Sequence, residues 1–217
     1  VSTAEFPHTT DLSTTDLSTA DLKSDLRRYL QDARETVLWK LDGLSERDVR
    51  RPLTPTGTNL LGLVKHLAGV ELLYLGWVFG RHYTEPVAWF RPDLGPFGLA
   101  PDTDKWATAN ESRAYITDTY RRAWQHADAT IDALPLTATG FVPWFPEPRR
   151  AATLHQILIH LVAETERHTG HADVVRELID GTVGYRPGAA GQLPPMDEQG
   201  WAEYRARLEE VAAAARD

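Results

Sequence analysis

Apolar positions recur at helical spacing in four stretches of the chain. Between residues 21 and 43, Leu26, Leu30, Ala33, Val37 and Leu41 fall on one stripe of an amphipathic helix, with Gly43 near its stop. Residues 59–80 are apolar almost all round, which marks a central helix. Thr58 or Asn59 caps it after the linker RPLTPTGTN, and it ends near Gly80. A third helix, over 104–134, carries Trp106, Tyr115, Ile116, Tyr120, Ala123, Trp124, Ala127 and Ile131, and Pro135 closes it. The segment GFVPWFPEPRR, 140–150, is too rich in proline for a helix and leads into a fourth over 152–181, ended by Gly181. Residues 81–103, with four prolines and several aromatics, predict a long ordered loop of the kind that covers a site.

The ends read differently. Residues 9–22, TTDLSTTDLSTADL, repeat polar residues around Leu12, Leu17 and Leu22; this period of five matches neither helix nor strand. Residues 1–20 are therefore expected to form a flexible arm. The tail, 182–217, starts as a Gly- and Pro-rich connector and finishes in a short helix, WAEYRARLEEVAAAAR. The expected organisation is an arm (1–20), a helical bundle (21–181) and a C-terminal extension (182–217), and the expected fold class is all-α.

Composition narrows the function classes. The net charge of −8 argues against the basic footprint that nucleic-acid binding needs, which leaves small molecules or protein partners. The chain contains no cysteine, so disulfides, thiolate metal ligands and a cysteine nucleophile are excluded, and any thiol chemistry must come from a substrate. No uninterrupted apolar run reaches the ~18 residues of a membrane span, and the polar N-terminus lacks the pattern of a signal peptide, so no membrane and a cytoplasmic location are the expectations.

Chemistry enters where polar residues break the apolar pattern. In HLVAETERHTGHADVVREL, 160–178, His160, Glu164, His168 and His171 recur every three to four residues, which stacks them on one helix face. Three imidazoles and a carboxylate on one stripe are the ingredients of a divalent transition-metal site. In the central helix His66 lies between Gly62 and Gly69. Each glycine costs about 1 kcal/mol of helix stability relative to alanine, so the pair suggests close approach by another element or space for a ligand. Taken alone, His66 reads equally as a hydrogen-bonded core histidine. Glu71 and Glu166 are out of phase with the histidine rows and are not expected to be ligands.

KHLAGVE, followed about a hundred residues later by LIHLVAETERHTGHADVVRELIDG, resembles the DinB-like four-helix-bundle superfamily, and more closely its actinobacterial branch related to mycothiol-dependent S-transferases and maleylpyruvate isomerase. The resemblance extends over about residues 24–181 and includes GWVFGR and VPWF. It implies a DinB-like bundle, with a long ordered loop and an additional C-terminal helix, holding a divalent metal between its second and fourth helices. Carried onto this chain, the ligands are His66, Glu164 and His168, with glutamate where many members have histidine. The added negative charge favours zinc, or alternatively nickel, over softer metals. His171 is a candidate fourth ligand, orienting residue, general base or half-buried surface residue. Members of the superfamily are often dimers, which makes a homodimer an expectation.

Three ligands leave a position open, as in catalytic rather than structural sites. The implied function is a metal-dependent, thiol-dependent S-transferase, in which a low-molecular-weight thiol such as mycothiol is activated as a metal-bound thiolate and attacks an electrophilic small molecule, with His171 as the candidate catalytic residue. Arg81, His82, Arg149 and Arg150 are candidates for polar contacts to the thiol, and the aromatics of VPWF and of the 81–103 loop for the substrate pocket. A metal-dependent hydrolase or isomerase, and a non-catalytic small-molecule-binding or stress protein of the same fold, are the alternatives.

Overall fold

The structure is a computed structural model that describes residues 19–90, 103–188, 194 and 196–215. Four long helices carry the fold: α1 (Thr19–Trp39), α2 (Leu60–Glu71), α3 (Arg113–Ala133) and α4 (Leu154–Asp180). Nearly all of the expected 1–20 arm and most of the 81–103 loop lie outside the described residues. The stripe Leu30, Ala33 and Val37 is buried along α1, as its spacing predicts. The helix stops at Trp39, and Leu41 and Gly43, read as helical, lie in the turns that follow.

The side chain of Asn59 caps α2 by accepting from Gly62 N. Its helical path runs on through a π-helical turn (Leu72–Gly76) and a short 3₁₀ turn (Trp77–Phe79). The segment Leu60–Phe79 is long and apolar enough on average to cross a membrane, but Lys65, His66 and Glu71 interrupt it and 83% of its apolar window is buried. It is the core helix of the bundle: α2 and the π turn supply Leu61, Val64, Leu67 and Leu75, all fully buried.

The third helix departs from expectation. It starts at Arg113, capped by Ser112, so residues 103–112 form a strap of turns rather than the first turns of a helix. The strap is fastened by polar contacts that periodicity does not report. Arg50 donates to the carbonyls of Ala107, Thr108 and Glu111, and Thr108 N donates to Glu111 Oε2. A second departure is a small antiparallel hairpin between α3 and α4, with β1 (Thr139–Phe141) paired to β2 (Ala151–Thr153). Its proline-rich loop holds Trp144 and Phe145. α4 begins with a capping box between Thr153 and Gln156 and ends at Gly181, whose positive φ of 76° suits a residue without a side chain.

α1 packs on α4, and α2 packs on α3 and more lightly on α4. Charged groups inside the bundle are paired. Arg34 is fully buried and forks onto both carboxylate oxygens of Glu71 at 2.7 Å each, while its third nitrogen reaches Asp128 at 2.9 Å. One guanidinium thus ties α1, α2 and α3 together. The chain divides into two compact units, Val1–Thr182 and Val183–Asp217. Within the second, α5 (Glu198–Ala214) is capped by Asp197 and sets Trp201, Tyr204, Leu208 and Val211 three to four residues apart.

Removing one partner of the Arg34–Glu71 pair leaves a charge in a dry environment. Glu71→Ala is expected to destabilise the protein by roughly 3 kcal/mol or more, measured by urea denaturation, whereas a paired Arg34→Met, Glu71→Leu replacement should cost clearly less.

Candidate metal centre

Two helices with independent caps aim the candidate ligands at one another. On α4, Glu164 and His168 are one turn apart and project from the same face. On α2, the cap at Asn59 sets the phase that turns His66 toward α4. His66 Nε2 lies 3.6 Å and His168 Nε2 3.0 Å from the same oxygen, Oε1 of Glu164, and the two rings meet edge to face with centroids 4.8 Å apart. One ligand atom from each of the three residues can be chosen so that all lie within 4.8 Å of one another.

This geometry suits a small divalent cation. A tetrahedral zinc ion lies about 2.0–2.2 Å from each nitrogen or oxygen ligand, which separates ligand atoms by roughly 3.3–3.6 Å. The observed separations of 3.0 and 3.6 Å bracket that range, so small side-chain adjustments would admit the ion. The donor set, two imidazoles and one carboxylate, is a familiar one for zinc and neighbouring transition metals.

The electrostatics follow from the crowding. Hydrogen bonds from His168 and His66 hold the Glu164 carboxyl far below its usual range, outweighing the opposing effect of burial. Burial alone would depress His66, but hydrogen bonds to Asp104 and Glu164 outweigh it and raise its pKa. The Asp104 contact is short, 2.6 Å from Nδ1 of His66 to Oδ2, on the ring nitrogen remote from Glu164. Nδ1 of His168 in turn lies 3.4 Å from Nδ1 of His171.

The other histidines of the α4 stripe separate by environment. His171 is exposed at the rim, and partial burial, with His168 and Arg167 nearby, lowers its pKa. His160, a turn before Glu164, is half-buried among aromatics, 4.7 Å from the Tyr74 ring and 5.5 Å from that of Phe145, and burial lowers its pKa. Tyr74 belongs to the π-helical turn and accepts a hydrogen bond at 3.0 Å from Trp144 Nε1 of the hairpin loop. Such turns insert a residue and re-aim side chains, often at functional sites.

A cavity of about 510 Å³ opens beside His66, His168 and His171, and its lining includes Thr58, Lys105 and Trp106. Arg81, His82, Arg149 and Arg150 do not line it. Arg81 is engaged with Thr130 of α3, and Arg150 with Phe145 and Glu147. Glu71, discounted as a ligand for its phase, is the partner of Arg34.

Sequence reasoning missed Asp104, which it placed inside a helix. The capping signal at Ser112 would have freed residues 103–112 from that helix. Nothing local connects Asp104 to His66, 38 residues away. The glycines beside His66 carried a partial signal. A Cβ at Gly62 would come within 1.9 Å of Lys105 O, so the close approach is made by the strap's backbone, while Gly69 meets only Phe90, at 4.0 Å.

A family model described as mycothiol S-transferase matches residues 25–181, the part of the chain that contains the bundle and all of these residues. No curated protein matches the chain.

The shifted groups give a stability signature in chelator-treated protein. Glu164, lowered from 4.5, stabilises the fold above that value and loses its contribution as pH falls. His66, raised from 6.5, contributes fully below 6.5 and loses its share as pH rises through its folded value. The stability difference between wild type and Glu164→Gln in urea titrations is therefore expected to be greatest between pH 4.5 and 6.5 and to shrink on either side.

Proposed function

Because the chain belongs to the mycothiol S-transferase family, we propose that it is a thiol-dependent S-transferase working in the cytoplasm on small molecules, with a divalent metal, zinc in the first instance, held by His66, Glu164 and His168. The observation that carries this reading is the convergence of two imidazoles and a carboxylate from α2 and α4, with both imidazoles at the wall of a cavity large enough for a small molecule. When bound, the metal favours thiolate over neutral thiol, supplying a sulfur nucleophile that a cysteine-free chain does not otherwise have.

The remaining parts belong to the chain itself. Glu164 contributes negative charge that partly offsets the dication, so the site is near balance with one further anion. His171 lies on the cavity wall, one turn from His168. Its lowered pKa leaves it neutral near pH 7, which suits it to accept the proton that the thiol gives up on binding. The cavity wall formed by Thr58, Asn59 and Lys105 offers polar contacts for the non-reacting part of a hydrophilic thiol, and Leu63 and Trp106 add apolar surface. On the other side of Glu164, the partly exposed group formed by His160, Trp144 and Phe145 offers flat apolar surface to an electrophile. The new bond joins thiol sulfur to an electrophilic carbon; the S–H bond breaks, and the electron pair displaced at carbon departs with a leaving group or, on addition to a polarised double bond, takes up a proton.

Elemental analysis by mass spectrometry, followed by a thiol-consumption assay against a panel of electrophiles, tests the reading. Wild type is expected to carry near-stoichiometric zinc or nickel, and His66→Ala and His168→Ala to lose it together with activity. His171→Ala should retain the metal and lose roughly 10²-fold or more in turnover, as removal of a general base does. A wild type that stays metal-free after reconstitution would sink the mechanism and leave a small-molecule-binding bundle.

A further inference from the structure

We propose that Asp104 is a positioning residue of the metal centre, and that the strap 103–112 is built to hold its carboxylate against His66. The inference rests on the metal reading above for its consequence, but its geometry is independent of that reading.

The contact is the 2.6 Å hydrogen bond from Nδ1 of His66 to Oδ2 of Asp104. Imidazole has two nitrogens, and a carboxylate can only accept. The bond therefore commits Nδ1 as the protonated nitrogen and leaves Nε2 to face Glu164, 3.6 Å away, and His168. It fixes the tautomer and the rotation of the ring together, and a carboxylate behind an imidazole makes the opposite nitrogen a better donor to a metal.

The strap is fastened to α2 with more contacts than a surface loop needs. Asn59 acts twice, accepting from Gly62 N at 2.8 Å and donating to Lys105 O at 3.2 Å. The absent side chain of Gly62 lets Lys105 O approach to a distance no Cβ would allow. Lys65, next to His66, is buried and donates both to Trp106 O and to Glu111, at 2.9 Å each. These contacts flank Asp104 on one side and fix the height at which the strap crosses His66. Lys105 and Trp106 also line the cavity, so one short segment supports a ligand and walls the pocket.

The two candidate histidine ligands are supported unequally. His66 is backed by a carboxylate at 2.6 Å, whereas His168 is backed by the imidazole of His171 at 3.4 Å, a longer contact without an anionic acceptor. Asp104 should therefore matter more to metal affinity than His171 does.

The test uses the full chain and zinc, with affinity measured by competition against a chromophoric chelator. Asp104→Ala is expected to weaken zinc binding roughly 10- to 100-fold, as loss of a supporting partner does. Asp104→Asn keeps a neutral acceptor and should fall between Asp104→Ala and wild type, while His171→Ala should change affinity less than either. A merely structural loop residue would not give that ordering. Nitrogen-15 spectra of the histidine rings in metal-free protein at about pH 9, above the imidazole range, should show His66 as the Nδ1–H tautomer in wild type and not in Asp104→Ala. Wild-type affinity in Asp104→Ala, or an Nε2–H tautomer for His66 in wild type, would overturn the assignment. If wild type takes up no zinc, the metal reading fails, and the tautomer measurement still decides the role of Asp104.

Discussion

The constraint on which this fold depends is that α2 has almost no solvent-facing side and yet carries Lys65, His66 and Glu71. A buried polar group without a partner costs several kcal/mol, so each must be met from a neighbouring element. Glu71 is met by Arg34 of α1, which also holds Asp128 of α3. Lys65 is met by Glu111 and by a carbonyl of the strap. His66 is met by Asp104 on one edge and faces Glu164 of α4 on the other. α1, the strap and α4 are thus each registered to α2 by a directional contact, and α3 through Arg34, in addition to the apolar packing that any four amphipathic helices could provide.

The same constraint separates scaffold from site. The charges of Lys65 and Glu71 are used up in pairs deep in the bundle, with exposures near zero. His66, Glu164 and His168 differ: their side chains are 18%, 28% and 15% exposed, and the two histidines border a cavity. A cluster that existed only to satisfy a core histidine would have no need of an opening, nor of two histidines sharing one carboxylate oxygen. The strap joins the two roles, because the contacts that pin it to α2 also bring a carboxylate to the back of a candidate ligand.

Much of this was legible in the sequence, and the parts that were not share a cause. Helical periodicity reports which face of a segment is buried. It found all four helices and placed Glu164 and His168 on one face. Capping chemistry narrowed the start of α2 to Thr58 or Asn59, of which the structure uses Asn59, and marked the end of α4 at Gly181. It failed where the backbone is held by long-range polar contacts. Residues 103–112 carry apolar residues at spacings compatible with a helix, but Arg50, Lys65 and Asn59 take their carbonyls from outside, so they never close a helical ladder. The hairpin at 139–153 pairs three residues with three, too few for an alternation to stand out among prolines. The π-helical turn at Leu72–Gly76 cannot be read from a regular period, since it consists in one residue more than the period allows. Gly62 was a visible anomaly, but a glycine in a buried helix tells only that something comes close, not what.

A final consideration is what such a site is for energetically. In a structural zinc site metal binding itself supplies folding free energy. Here the candidate ligands already have protein partners: His168 is hydrogen-bonded to Glu164, and His66 is hydrogen-bonded to Asp104 and faces the same Glu164 oxygen at 3.6 Å. The bundle around them is filled by two apolar clusters and by the Arg34–Glu71 pair. Folding therefore draws on contacts that involve no ion, and the candidate ligands are held together by the protein's own contacts. Preorganisation of this kind would lower the cost of ordering the site for a bound metal, and His66 and His168 lie where the cavity gives access to them. A cluster that the protein's own contacts hold together, with two imidazoles at the edge of a cavity, is one that folding alone does not require, which ties the buried polar pattern of α2 to the activity proposed for the chain.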